Sequence, residues 1–333
     1  MKIAVDTMGG DYAPHEIVYG AVQAAKEYDY EIILVGEEYS LKRELSRHMP
    51  IKGKIYTKNA SEIIGMDEPP VASIRKKRDS SINVGINLLK EKKADSFVSA
   101  GNTGAIVSSA TLHLKTLEGI HRAGISVVIP TLTGSTLLID VGANIDCKPE
   151  HLLQYALMGD VYCRYVLNKK QVKVSLLSIG EEKSKGTVLI KNAYELLDNS
   201  SLHFIGNIDG KDIFSGKADV IVCDGLTGNI ILKSLEGFTE AMEMLLKQEM
   251  NKSLISRLGA LLSMPALSNL KTKVDYAEYG GAPLLGIDGI CIISHGRSKA
   301  KAIKSAIKAA GEFANHRANR HIIDAVRAYN NKL

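Results

Sequence analysis

Four short turns hold most of the residues whose types could do chemistry: DTMGGDYAP at 6–14, SAGNTGA at 99–105, DVGAN at 140–144 and DGLTGN at 224–229. Each follows an apolar run and mixes glycine with small hydroxyl, amide or carboxylate side chains. Glycine lets a ligand approach the backbone closely and tolerates positive φ. SAGNTGA leads straight into a helical pattern, so its backbone N–H groups and the Ser99 and Thr103 hydroxyls are suited to cradling an anion. One such turn says little, because strand-to-helix connections need glycine anyway; four of them predict a site. Lys185, just before Gly186 in IGEEKSKGT at 179–187, can reach into a cleft from a turn, although an ordinary surface lysine has the same context. His295 follows an apolar run in SHGRS at 294–298, which suits either a site or a hydrogen-bonded structural histidine.

Several chemistries are unsupported. No GxGxxG follows the first apolar run, so the dinucleotide fingerprint is missing. GKDIFSGKA at 210–218 nearly matches a phosphate loop, but it has one residue too many and ends in Ala218 where Ser or Thr is needed. A serine-nucleophile elbow, GxSxG, is absent. Cys147, Cys163, Cys223 and Cys291 are widely spaced, with no CxxC or Cys/His cluster, and read as single reduced thiols rather than a disulfide frame or a metal site. No cofactor or metal is expected.

The elements that must position these turns alternate. Strand patterns fall at 2–6, 31–35, 54–57, 96–99, 126–130, 136–140, 173–178, 203–205, 219–223 and 290–294, many uniformly apolar and β-branched, as strands buried on both faces of a parallel sheet are. Helical periodicity occupies 15–28, 104–114, 149–166, 188–197 and 299–327. This alternation predicts a doubly wound α/β fold. One hairpin, 127–130 to 137–140 across TLTGS, makes a mixed, mostly parallel sheet the expectation.

With 45% hydrophobic and 24% charged residues in 333, the chain can bury a large core, built mostly from Ile, Leu, Val and Ala since Trp is absent. Nothing in it has the apolar length of a signal peptide or a membrane span, so a cytoplasmic location is expected. Net charge is +5, unevenly spread: from Arg297 to Leu333 nine Lys/Arg face only Glu312 and Asp324. Such a segment favours an acidic partner, or is simply a solvated helix face. We expect one α/β catalytic unit over 1–333 with a protruding amphipathic helical hairpin at 240–275. There, Leu258, Leu261 and Leu262 make one apolar helical face beside Arg257, Lys271 and Lys273, and Pro265 is expected to break the helix. This mixture fits membrane-surface contact; packing in a dimer interface or in the core would give the same pattern.

At these same turns the sequence resembles the phosphate acyltransferase (PlsX) family. The resemblance covers nearly the whole chain: besides the four turns it includes RKKRDSS at 75–81, DVGANIDCKPEHLLQYA at 140–156, IGEEKSKG at 179–186, FIGN at 204–207, KSLEG at 233–237, YGGAPLLG at 279–286 and SHGRS at 294–298. Thr7, Leu226 and Asp209 stand where Ala, Phe and Glu are expected, and none is asked to do chemistry. The resemblance implies transfer of an acyl group from acyl carrier protein to inorganic phosphate, for phospholipid synthesis. It implies a homodimer with a fold related to isocitrate dehydrogenases and phosphotransacetylases, and delivery of product to a membrane glycerol-3-phosphate acyltransferase. On it, Lys185 would hold phosphate and Asn229 donate to the thioester oxygen. Gly9, Gly10, Ser99, Gly101, Asn102, Thr103, Gly104, Asp224, Gly228 and His295 would line the substrate site. A short-chain phosphotransacetylase using CoA, or a non-catalytic scaffold at the membrane surface, are the alternatives. No nucleic acid partner is implied.

Overall fold

Apolar β-branched runs do become strands with both faces covered, and helices fill the intervals. The computed structural model describes residues 1–48, 54–274 and 280–331, with side chains except over 268–274. The chain begins β1 (Lys2–Asp6), α1 (His15–Glu27), β2 (Glu31–Gly36), α2 (Glu38–Ser46), β3 (Lys54–Asn59), α3 (Pro70–Lys76), α4 (Ser81–Lys90), β4 (Ser96–Ser99) and α5 (Thr103–Leu114). It continues β5 (Gly124–Thr131), β6 (Gly134–Ile139), α6 (Pro149–Tyr165), β7 (Val174–Leu177), α7 (Val188–Asp198), β8 (Phe204–Ile208) and β9 (Val220–Val222). It ends α8 (Gly225–Asn251), α9 (Leu254–Val274), β10 (Ala282–Leu285), β11 (Cys291–Ile293), α10 (Ala300–Asn315) and α11 (Ala318–Asn330).

One sheet runs in the order β3-β2-β1-β4-β11-β10-β5-β6-β9-β7-β8. It consists of two parallel blocks, β3-β2-β1-β4-β11 and β6-β9-β7-β8, joined through the antiparallel pairs β11/β10, β10/β5 and β5/β6. The blocks therefore point in opposite directions, yet the register brings their C-terminal ends together. Val98 pairs with Ile292, Ile292 with Pro283, and Ser126 with Ile139, while the Ser126 hydroxyl donates to the Pro283 carbonyl at 3.1 Å. One row thus holds the last or next-to-last residues of β4, β11 and β6. Strand C-termini that converge in mid-sheet form the crevice where open α/β sheets bind ligands.

Buried side chains of α1 and α10 cover one part of the sheet, those of α6, α7 and α11 another, and α4, α5 and the start of α8 a third. Three details depart from the sequence expectations. The 299–327 helix is two helices, interrupted at Arg317, whose φ of 48° is left-handed and ends α10. Pro265 does not break its helix: α9 is continuous through it. There it removes one backbone N–H, and the exposed surroundings leave the freed carbonyl to water. Strand β10, APLL, has no counterpart among the expected strands.

Candidate active site

A cavity of about 340 Å³ lies where the two sets of strand ends meet. Ile125, Val127, Val141, Leu232, Ala282 and Ile293 supply apolar wall; Thr103, Asn229, Lys233, Glu236, Ser294, His295 and Ser298 supply polar groups. The four glycine-rich turns divide into those that line it and those that hold it in shape.

Turn 99–105 does both. The Ser99 hydroxyl donates to the buried Asp6 carboxylate at 2.6 Å and accepts the Gly101 N–H at 3.0 Å. Burial pushes the Asp6 carboxyl above the usual range, against the hydrogen bonds from Ser99, Ser81, Met8 and Gly9. Asn102 caps α5, accepting from the Ala105 N–H at 3.0 Å, while its amide donates to the carbonyls of Gly65, Met66 and Glu68. Its side chain is occupied by these partners, and Asn102 is absent from the cavity lining. Thr103 and Gly104, in the first turn of α5, are the members of this motif that line the cavity. Their N–H groups stand at the positive end of the helix dipole.

Gly9 and Gly10 are joints. A Cβ on Gly9 would come within 2.6 Å of Gly101 backbone, and Gly10 holds φ +101° so that the Asp11 N–H can reach the Gly296 carbonyl at 2.8 Å. Gly9, Gly10, Ser99 and Gly101 are absent from the cavity lining; they lock turns 6–11, 99–104 and 294–298 together.

Turn 140–144 is built on Asp140. Its carboxylate accepts the N–H groups of Ile125, Gly142, Ala143 and Asn144 at 2.8–3.1 Å, and the Asn144 amide at 3.1 Å. Burial raises its pKa while these bonds oppose the shift. The folded turn presents Val141 and Gly142 to the cavity, with Gly142 directly beside Asn229. In turn 224–229, Asp224 caps α8 through the Thr227 N–H at 2.9 Å and hydroxyl at 2.7 Å. Gly228 lies against the Asp140 carbonyl, where any side chain would collide. Asp224 and Gly228 therefore aim the helix, and Asn229 is the residue that meets the cavity. Leu232, Lys233 and Glu236 follow it on one face at helical spacing.

Electrostatics converge on Glu236, whose carboxylate lies 2.8 Å from Lys233 Nζ and 3.5 Å from His295 Nε2. His295 Nδ1 accepts the Arg297 N–H at 3.2 Å, so Nε2 carries hydrogen toward Glu236. Ser294 and Ser298 are buried, and among the described residues neither hydroxyl has a hydrogen-bond partner. A hydroxyl left so is costly, about 1–3 kcal/mol, until something bonds it. Among the described residues no cluster of His, Cys, Asp and Glu could hold a metal ion.

Of the residues anticipated from the sequence, Thr103, Gly104, Asn229 and His295 come together at the cavity. Lys185 does not: it is exposed in the turn after β7, its N–H bonded to the Glu182 carbonyl at 3.0 Å. Sequence reasoning missed Lys233, Glu236, Ser294 and Ser298. The signal for the first two was their i+4 and i+7 spacing from Asn229; the serines had only their membership of SHGRS. The segment 210–218 forms a short 3₁₀ turn, Gly210–Phe214, capped by Asp209. Residues Leu258, Leu261 and Leu262 lie on α9, outside the cavity, at 60%, 66% and 76% exposure.

This mixed sheet flanked by helices is a fold shared with solved phosphotransacetylases. The chain superimposes on the phosphotransacetylase of Streptococcus pyogenes with a TM-score of 0.61 at 20% identity, covering 94% of each chain. It matches a branched-chain phosphotransacylase from Enterococcus faecalis V583 with a TM-score of 0.59 at 14% identity, over 95% of this chain and 100% of that one. Sequence carries the assignment further. Residues 1–321 match the family model described as fatty acid synthesis protein. The chain is 51% identical over 328 residues to the phosphate acyltransferase of Dictyoglomus turgidum, with 98% of both covered. It is 47% identical over 327 residues to that of Geotalea daltonii, covering 98% of this chain and 94% of the relative. The chain belongs to this family, the phosphate acyltransferases, and is a transferase.

Proposed function

We propose that the protein transfers an acyl group from acyl carrier protein to inorganic phosphate, giving acyl-phosphate and free carrier for phospholipid synthesis. The observation that carries this reading is the pairing, in one cavity, of an apolar wall with an unsatisfied donor set. Ile125, Val127, Val141 and Leu232 suit an acyl chain near its thioester; the first turn of α5, Ser294 and Ser298 suit a phosphate. A phosphate oxygen attacks the thioester carbonyl carbon, the C–S bond breaks, and the proton of hydrogen phosphate passes to the departing thiolate. Phosphate is its own nucleophile, so no serine or cysteine need be acylated.

In this reading Asn229 donates its amide N–H to the carbonyl oxygen as negative charge develops there, the kind of donor worth about 3–4 kcal/mol in a transition state. Lys233, on the wall and bonded to Glu236, is the lysine that lines the cavity among the described residues. Lys185 contributes if the 179–186 turn folds toward bound substrate. Incubating pure protein with long-chain acyl-carrier protein and phosphate, then assaying acyl-phosphate, tests the proposal; turnover confined to short acyl-CoA would favour a phosphotransacetylase instead.

A second reading concerns place. Among the described residues no helix is long and apolar enough to cross a membrane. Yet Leu254, Ile255, Leu258, Leu261 and Leu262 of α9 are 60–85% exposed, beside Arg257. We propose that this hairpin rests on an anionic membrane surface, releasing a reactive, greasy product beside a membrane acyltransferase that consumes it. Each leucine buried there contributes ~1.5–3 kcal/mol, less what partial exposure removes. A second copy of the chain in a homodimer is the competing occupant, and loss of dimerisation on substituting these leucines would identify it.

A further inference from the structure

The basic C-terminal segment and the Arg75–Arg78 stretch look equivalent in sequence, but their surroundings differ. Arg297 pairs with Glu240 at 2.7 Å, Lys304 with Glu27 at 2.7 Å, Lys308 with Glu312 at 3.6 Å, and Arg327 with Glu118 at 2.5 Å. Lys299 lies over the Tyr12 ring. Much of the C-terminal charge is therefore answered within the molecule. Arg75, Lys76 and Arg78 are exposed at the end of α3 and just beyond it, and make no ion pair among the described residues.

Arg75 and Arg78 help line a second cavity of about 340 Å³, together with Ile74, Asn83, Asn87, Leu112 and His113. Leu112 is 56% exposed at its rim, a small apolar foothold in a basic surround. Burial, and after it the Lys90 ammonium, lowers the His113 pKa from its ordinary value. Nearby acids are engaged elsewhere: Asp79 accepts from Ser61 at 2.6 Å, and Glu91 pairs with Lys93 at 2.7 Å.

This corner is joined to the first cavity by α3 and α5 lying side by side. Pro70, which starts α3, packs on Gly104 at the first cavity, and Arg75, near the end of α3, shares the second with Leu112 and His113. From Gly104 to His113 is nine residues of helix, about 14 Å at 1.5 Å per residue. An acyl group carried on a flexible arm can span that distance while its carrier stays outside.

We infer that the Arg75–Lys76–Arg78–His113 corner is where an acidic carrier protein docks, its acyl-bearing arm running along the α3–α5 seam into the active-site cavity. The inference rests on the reading that the acyl donor is protein-borne. Unpaired cations at the rim mainly raise the encounter rate and set the salt dependence, and reversing their charge repels the partner.

The test compares wild type, Arg75→Glu with Arg78→Glu, and Lys304→Glu as a control for the internally paired charge. Each is assayed with long-chain acyl-carrier protein and with the same acyl group on pantetheine, a small uncharged thioester. The corner variant should raise KM for the acyl-carrier protein at least about tenfold and flatten its dependence on ionic strength. Its kcat, its KM for phosphate and its acyl-pantetheine rate should stay near wild type, and Lys304→Glu should leave all of these unchanged. An unaltered KM for the acyl-carrier protein, or equal loss with both thioesters, overturns the docking site. Wild type that makes no acyl-phosphate from acyl-carrier protein would instead remove the functional reading beneath it.

Discussion

Helix α8 belongs to two regions that solve opposite problems. Its first three turns bring Asn229, Leu232, Lys233 and Glu236 to a cavity in which the Ser294 and Ser298 hydroxyls are buried and, among the described residues, unpaired. Beyond Gly237 the same helix leaves Phe238, Met242, Met244, Leu245 and Leu246 at 44–65% exposure, and α9 adds Leu258, Leu261 and Leu262. One end borders buried serine hydroxyls left without partners; the other shows apolar atoms to water without covering them. Each is unfavourable in the free molecule, and on the proposed function each would be relieved by a different partner, a small anionic substrate in the first case and an apolar surface in the second. Because the two lie on one helix but share no wall, chemistry and location should be separable by mutation.

The largest effect should come from the cavity. Asn229→Ala is expected to lower kcat at least about 100-fold, the scale of losing one oxyanion donor, with unchanged thermal unfolding because the side chain is exposed. Steady-state kinetics beside a melting curve measures both, and near-normal turnover removes Asn229 from the mechanism. Lys185→Ala is expected to lose turnover on the same scale, which requires the 179–186 turn to approach substrate; activity close to wild type would leave the cationic role to Lys233 among the described residues.

Asn102→Ala should be the opposite kind of variant. It removes a helix cap and three bonds to the 65–68 loop, so about 1–2 kcal/mol of stability should go in denaturant unfolding. A loss of phosphate affinity without destabilisation would restore it as a ligand. Smallest in solution should be Leu258→Glu with Leu261→Glu: soluble activity within about twofold, since surface substitutions are mild, but flotation with anionic liposomes abolished. Unchanged flotation would break the contrast between the two ends of α8.

Much of this was legible in the sequence, and the gaps have physical causes. Strands such as IILV in β2 and VIV in β9 declared themselves because burial on both faces leaves nothing polar to confuse the pattern. β10 escaped because APLL is four residues containing a proline, tolerated in a strand only where the missing N–H is not needed. The break at Arg317 carries no glycine or proline; a non-glycine residue in the left-handed region has no sequence signature. Three of the four turns contribute to the lining of one cavity and the fourth braces them, a division of labour the sequence did not show. Ser99, Asn102 and Asp224 are small polar residues of the types found both in turns and helix caps and at ligand sites, so only their partners tell which they do. Lys233, Ser294 and Ser298 meet across a sheet that joins residues some 60 positions apart, which no local spacing encodes.

The central claim is that one cavity joins a phosphate to an acyl group delivered by a carrier. The most direct measurement mixes purified protein, long-chain acyl-carrier protein and isotopically labelled phosphate without membranes, and follows label into acyl-phosphate as free carrier thiol appears. The account predicts equimolar acyl-phosphate and thiol, lost in Asn229→Ala and retained in Leu258→Glu with Leu261→Glu. Thiol release without labelled acyl-phosphate, or no release at all, would contradict it.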